Sequence, residues 1–300
     1  MTGTMEDMAS ALEASGNYKV LRRVQPGCCV QPDDGSPTRR AIILDCETTG
    51  LDPKGTSDYA RDEIIELALL PVDFTDDFRI VRVGPGYQSF RQPAKSISAK
   101  IEALTGITNA MVEGHDIDFD QVVQLVDDAD WIIAHNARFD RRFTEILHPE
   151  IFMSKPWACS WTQLDWPESG SGRLGYLVNA AGLFSAHHRA LDDCHALLEL
   201  LARPLGVGGV PALGHLIETA QRPVVRLWAQ GAPFEKKDLL KARNYRWNTG
   251  EDGAPRAWYT DIAESNEDAE ITFLRAAIFG PDWNARRSLI TAYDRFSDRC

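Results

Sequence analysis

The pattern of apolar and polar positions changes character at Arg40. Before it, residues 5–12 have the spacing of a short amphipathic helix, residues 18–24 are mixed, and a Pro-, Gly- and Asp-rich run ending at Arg39 and Arg40 reads as a linker. After it, residues 41–45 form a short apolar run with the length and composition of a buried strand. Residues 63–72 and 78–83 follow as further strands, so three in succession predict an antiparallel meander. Helical spacing then appears at 98–104 and 119–127, followed by a strand at 131–135, a helix at 137–147 and a strand at 157–161. Further helices are predicted at 174–181 and 189–202. Strands first and strand–helix alternation afterwards predict an α/β fold, a mixed five-stranded sheet with flanking helices.

Residues 205–211, rich in glycine and preceded by Pro204, mark a loop, and one more helix is predicted at 212–220. The composition then shifts. Residues 222–247 hold seven Lys and Arg against Glu235 and Asp238. A hairpin pairing 245–248 with 257–262 and a closing helix at 266–279 complete a small α+β module. The expected organisation is an extension and linker over 1–39, a main domain over 40–221 and an accessory module over 222–300.

With 44% hydrophobic and 25% charged residues, the chain has the composition of an ordinary globular protein. No apolar run approaches the ~18 residues of a membrane helix, and Glu6, Asp7 and Glu13 interrupt what would be a secretory signal, so no membrane association and a cytoplasmic location are expected. The six cysteines include no C-x-x-C pair, which removes zinc-finger and disulfide-scaffold readings. A net charge of −12 argues against a nucleic-acid coat protein, because such affinity comes from Lys and Arg at phosphates. An acidic protein acting on nucleic acid needs divalent cations or a locally basic element.

Three segments carry candidate chemistry. In Leu44-Asp45-Cys46-Glu47-Thr48-Thr49-Gly50-Leu51, strand alternation puts Asp45 and Glu47 on one face, where two carboxylates share a cation site; the alternative is a solvated strand terminus. In 132–140 a strand runs into a helix with Asn136 as its expected N-cap. Asp140 lies on that helix's apolar stripe, either as a site residue or paired with Arg141 or Arg142, which project to other faces. In His187-His188-Arg189-Ala190-Leu191-Asp192-Asp193-Cys194 two registers satisfy a His-x4-Asp spacing. Helical projection puts Asp193 beside the buried stripe and Asp192 toward solvent. Four acids of this kind suit Mg²⁺ or Mn²⁺ rather than zinc, and two such ions clamp the oxygens of a phosphoryl displacement.

On LDCETTGLDP, IIELALLPV, LTGIT, IIAHNARFD and HRALDD as they stand here, residues 40–202 resemble the DEDDh 3′-to-5′ exonucleases, the family of the bacterial proofreading subunit. The resemblance implies a ribonuclease-H-like fold and hydrolysis of terminal phosphodiesters of single-stranded DNA to nucleoside 5′-monophosphates. It implies that Asp45, Glu47, Asp140 and Asp193 hold two Mg²⁺ or Mn²⁺ ions and that His188 is the general base. Cys46, Thr48, Thr49, Gly50, Leu51, Asn136 and Phe139 would contact the terminal nucleotides; core packing is the alternative for Leu51 and Phe139. The implied partner is a nucleic acid with a free 3′ end, DNA in preference to RNA, and a polymerase is a further implied partner. Several members have His before Gly-Ile-Thr, where this chain has Leu104-Thr105. His135 and His187 are expected to be structural or exposed.

Two other functions are weighed: an RNA-trimming exoribonuclease of the same family and a nuclease-fold adaptor that binds without cutting. Four acids set against phosphate disfavour the adaptor. In the C-terminal module, Lys236, Lys237, Lys241, Arg243 and Arg246 alternate with Tyr245, Trp247 and Trp258. They bind single strands, or the aromatics form the module's own core under a solvated basic helix.

Overall fold

The computed structural model describes residues 4–56, 60–166, 171–185, 189–250 and 253–300. The chain forms two compact units, Met1–Ile217 and Glu218–Cys300. In the first, α1 (Met5–Ala14) and β1 (Arg22–Arg23) lead to the meander of β2 (Thr38–Thr48), β3 (Ile64–Thr75), β4 (Ile80–Val83) and β5 (Tyr87–Phe90). Next come α2 (Ala99–Thr105), α3 (Asn109–Val112), α4 (Phe119–Asp127) and β6 (Trp131–Ala134), then α5 (Ala137–Leu147), α6 (Pro149–Phe152) and β7 (Trp157–Cys159). The unit closes with α7 (Leu174–Ala180), β8 (Leu183–Phe184) and α8 (Ala190–Leu201), and α9 (Ala212–Gln221) follows.

The main sheet runs β4-β3-β2-β6-β7, with β5 also on β3. β2 is antiparallel to β3 and parallel to β6, and β6 is parallel to β7, which is the mixed α/β sheet that the order of elements implied. It has six strands because β3, buried along its whole length, is long enough for β4 and β5 to share the edge that β2 leaves. Tyr87–Phe90 has no alternation strong enough to mark it as a strand. Residues 22–24 are also more than linker: β1 pairs with β8, and Val24 packs with Leu177, Val178, Leu183, Ala196 and Leu200.

The second unit is a four-stranded antiparallel sheet in the order β10-β11-β9-β12, formed by β9 (Val224–Ala229), β10 (Arg246–Trp247), β11 (Trp258–Ala263) and β12 (Arg286–Ile290). The expected hairpin is β10 with β11. The exposed, polar β12 was not readable from an apolar pattern. Helix α10 (Lys237–Lys241) and helix α11 (Glu267–Phe273) complete it. The predicted closing helix is divided: after α11 the chain widens into a π-helical turn over Leu274–Phe279, and the Gly280 N–H donates to the Arg275 carbonyl at 2.8 Å.

Candidate active site

The apolar run before Asp45 is a fully buried strand because the sheet is covered on both faces there; Ala41 to Leu44 are each at most 1% exposed. Alternation along β2 gives Asp45 and Glu47 a common face. Helix α8 packs on β2, and the Cys194 thiol donates to the Ile43 carbonyl at 3.5 Å. This brings Asp193, the residue before Cys194, to the two strand carboxylates. Asp45, Glu47 and Asp193 each present one oxygen within 4.8 Å of the others. Cys46 points the other way, toward the first turn of α5. There Asp140, 2% exposed, accepts from the Cys46 N–H at 3.2 Å and its thiol at 3.3 Å. Asp140 stands outside the trio, yet among neighbouring charges it acts most strongly on Asp45.

Burial is the main influence on three of these carboxyls, Asp45, Glu47 and Asp140. It raises Asp45 well above the usual carboxylate range, reinforced by Asp140, Asp193, Glu47 and Glu66. Glu47 is pushed up to about 8 by burial and by Asp193, Glu66 and Asp140, with Arg189 opposing. Asp140 rises to about 7 through burial, against the hydrogen bonds from Cys46. Oxygen-only donors converging under mutual repulsion fit a hard divalent cation, whose charge offsets that repulsion.

Sequence reasoning missed the group beneath this cluster. Glu66 on β3 lies opposite Glu47 in register and has no exposed surface. It accepts from Arg189 Nη2 at 2.9 Å, Gln88 Nε2 at 2.5 Å and the Ala190 backbone N–H at 3.1 Å. Arg189 also lies over the Phe90 ring at 5.3 Å. Glu66 thus fixes the start of α8, one turn before Asp193. The signal was an acid in the middle of the apolar run Ile64-Ile65-Glu66-Leu67, where an unpartnered charge is not tolerated.

The candidate nucleotide contacts fall in two places. Thr48 Oγ1 donates to the Gly50 carbonyl at 2.6 Å, and Thr49 Oγ1 accepts from the Glu63 N–H at 3.0 Å and bonds Asp62. Asp62, also missed, accepts from the Asp52 N–H at 2.9 Å, and a Cβ on Gly50 would meet its carboxylate at 2.4 Å, so glycine lets the turn close. Leu51, 79% exposed, is not core. Phe139 is half-buried, 5.0 Å from the Phe143 ring. Asn136 occupies the expected N-cap position but makes no capping hydrogen bond; its left-handed backbone (φ 72°) turns the chain instead. Arg141 is fully buried, paired with Glu145 at 2.7 Å and 5.4 Å from the Trp157 ring.

His188 and His187 lie outside the described residues. His135 is structural, held by Ser160 Oγ and the Gly172 carbonyl at 2.8 Å each and stacked on Trp161. Asp192 faces a cavity shared with Arg23, Ser185 and His195.

Fold and site together define an α/β protein with an oxygen-donor acidic centre at the end of its central strand. The RNase_T family, described as an exonuclease, matches residues 42–201, and the chain belongs to this family. It is 31% identical over 180 residues to the DNA polymerase III PolC-type of Bacillus subtilis (strain 168), covering 55% of this chain and 11% of that protein. It is 35% identical over 118 residues to the 3′-5′ exonuclease DinG of the same strain, covering 38% of this chain and 11% of that one. The chain thus spans about a tenth of the length of these curated relatives. A solved structure of exonuclease X in complex with 5′ overhanging duplex DNA aligns at 28% identity and a TM-score of 0.41, over 54% of this chain and 89% of that one. Among the described residues no helix is long and apolar enough to cross a membrane.

Proposed function

We propose that the protein is a 3′-to-5′ exonuclease that removes nucleoside 5′-monophosphates from single-stranded DNA. The observation that carries this reading is the convergence of Asp45, Glu47 and Asp193 within 4.8 Å, with Asp140 next to Asp45. These four residues would hold two Mg²⁺ or Mn²⁺ ions, which when bound supply charge neutralisation and Lewis acidity to the scissile phosphate. His188, five residues before Asp193, takes a proton on its imidazole from the attacking water. The water oxygen forms the new P–O bond, and the 3′ oxygen of the shortened strand leaves.

The other residues bind and orient. The Thr48-Thr49-Gly50 turn, locked by Asp62, grips the terminal nucleotide, with exposed Leu51 and half-buried Phe139 against the last bases and Asn136 as a polar contact. Cys46 acts through Asp140, to which it gives both its N–H and its thiol. A cytoplasmic setting fits six cysteines that form no disulfide among the described residues, and the PolC-type relatives make a polymerase partner a matter for co-purification.

Incubation of 5′-labelled single-stranded DNA and matched RNA with Mg²⁺, Mn²⁺ or EDTA tests the reading. A metal-dependent ladder shortening from the 3′ end, faster on DNA, is expected. Faster shortening of RNA would favour the exoribonuclease, and intact substrate throughout would favour a non-cleaving adaptor.

A further inference from the structure

The C-terminal unit carries thirteen Lys and Arg and thirteen Asp and Glu, so the net charge of −12 belongs entirely to the first 217 residues. Much of the unit's basic character is consumed internally. Arg226 pairs with Asp261 at 2.6 Å, Arg243 with Glu270 at 2.6 Å and Arg287 with Glu267 at 2.7 Å. Several aromatics are consumed too: Tyr245 is 3% exposed and donates its hydroxyl to Glu270, and Trp258 packs against the core of Ala229, Leu240, Leu274 and Ile278. The core alternative for the aromatics therefore accounts for Tyr245 and part of Trp258.

It leaves a remainder on α10, on the 3-10 turn before it (Phe234–Lys236) and on the β10 edge. Phe234 is 72% and Trp247 47% exposed, which core packing does not explain. Lys237 Nζ lies 3.9 Å from the Phe234 ring centroid, and Lys241 Nζ lies 6.0 Å from that of Trp258, against which Trp247 stands edge-on at 5.6 Å. Neither lysine enters an ion pair among the described residues; each is held over a ring face instead. Lys237 and Lys241 are four positions apart, so their side chains leave α10 from the same side, with Cβ atoms about 5–6 Å apart. Beside each stands an aromatic ring.

We propose that Phe234, Lys237, Lys241, Trp247 and Trp258 form a binding site for single-stranded nucleic acid, separate from the acidic centre. The lysines meet successive phosphates, and bases stack on Phe234 and Trp247, whose exposed faces accept any base. Charge complementarity selects this occupant. A polyanion gains at the two ammonium groups, and its bases supply the flat partners that two exposed rings require, whereas an acidic peptide offers charge without stacking. The choice of nucleic acid rests on the exonuclease reading.

The test uses the full chain in EDTA, so that binding is read without cleavage, with a fluorescein-labelled 20-residue oligodeoxythymidylate followed by anisotropy from 50 to 200 mM salt. Each phosphate contact adds ~0.7 to the salt slope for a single strand, so Lys237→Gln with Lys241→Gln should lower the slope by about 1.4. Trp247→Ala and Phe234→Ala, at exposed positions, should each weaken binding roughly five- to a hundredfold, with unchanged thermal melting as the folding control. Variants that bind as tightly as the parent with the same slope overturn the proposal. So does equal affinity for polyglutamate that is indifferent to Trp247→Ala, which would point to an acidic peptide. Cleavage in Mg²⁺ is scored separately. A chain that cuts but shows no patch-dependent binding refutes this site alone, and one that binds through the patch but never cuts refutes the exonuclease reading alone.

Discussion

Replacing Arg189 by methionine leaves the Glu66 carboxylate inside the protein without its cation. Glu66 has no exposed surface, while 36% of the Arg189 side chain is exposed. Removing one partner of a fully buried pair costs ~3–5 kcal/mol. Water already reaches the Arg189 end, so the expected loss here is about 2–3 kcal/mol. The methionine keeps part of the packing against Phe90, and the Gln88 and Ala190 donors remain, so what is lost is mainly the charge balance. For a unit of this size each kcal/mol moves the melting temperature ~2–4 °C, so the first transition should fall by about 4–12 °C in calorimetry. Adding Glu66→Gln to the same chain removes the stranded charge and should recover at least half of the loss. Because α8 starts at Ala190 and the Asp193 N–H donates to the Arg189 carbonyl at 3.0 Å, Arg189→Met should also raise the Mg²⁺ concentration for half-maximal cleavage roughly tenfold. Melting within 1 °C of the parent, or a double variant less stable than Arg189→Met, would refute the reasoning.

Asp45→Asn should abolish cleavage and, in EDTA, raise the melting temperature, because it removes a carboxylate that burial and four neighbouring acids disfavour; a lowered temperature in EDTA would contradict the electrostatics. Gly50→Ala should raise KM at least tenfold with a smaller loss in kcat, since its Cβ would meet the Asp62 carboxylate at 2.4 Å; unchanged steady-state kinetics would free the turn from this role. His135 is held down to about 4 by burial, so the unfolded chain binds its proton first as pH falls. Stability should therefore rise with pH between about 4 and 6.5 through this residue. The buried acids, raised in the fold, slope the other way, so the measurement is the difference in pH dependence between the parent and His135→Gln, and equal slopes would remove His135 from the account.

The parts of the fold that the sequence shows are those where one force dominates. Residues 41–44 read as a buried strand because nothing polar interrupts them, and Asp45 and Glu47 share a face because strand alternation leaves no other arrangement. The burial of Arg141 against Trp157, with Glu145 as its partner, is a tertiary solution that helical phase does not encode. β5 escapes notice because four residues with Gln88 and Ser89 at their centre pair only by virtue of the length of β3. Asp62 and Glu66 act on residues far from themselves in sequence, Asp62 on the turn at Thr49 and Asp52 and Glu66 on Arg189 and Ala190, and only the cost of a charge inside an apolar run hints at Glu66. In the C-terminal unit, composition shows that bases and aromatics are abundant, but only the pairing pattern shows which of them are occupied internally.

The central claim is that Asp193, together with Asp45 and Glu47, makes a cutting centre, and that Asp192 does not belong to it. The most direct measurement compares the parent, Asp192→Ala and Asp193→Ala on 5′-labelled single-stranded DNA in Mg²⁺, with the released products identified chromatographically. The account predicts nucleoside 5′-monophosphates from the parent and from Asp192→Ala at a similar rate, and none from Asp193→Ala. Cleavage by Asp193→Ala at the parental rate, or its loss in Asp192→Ala alone, would contradict it.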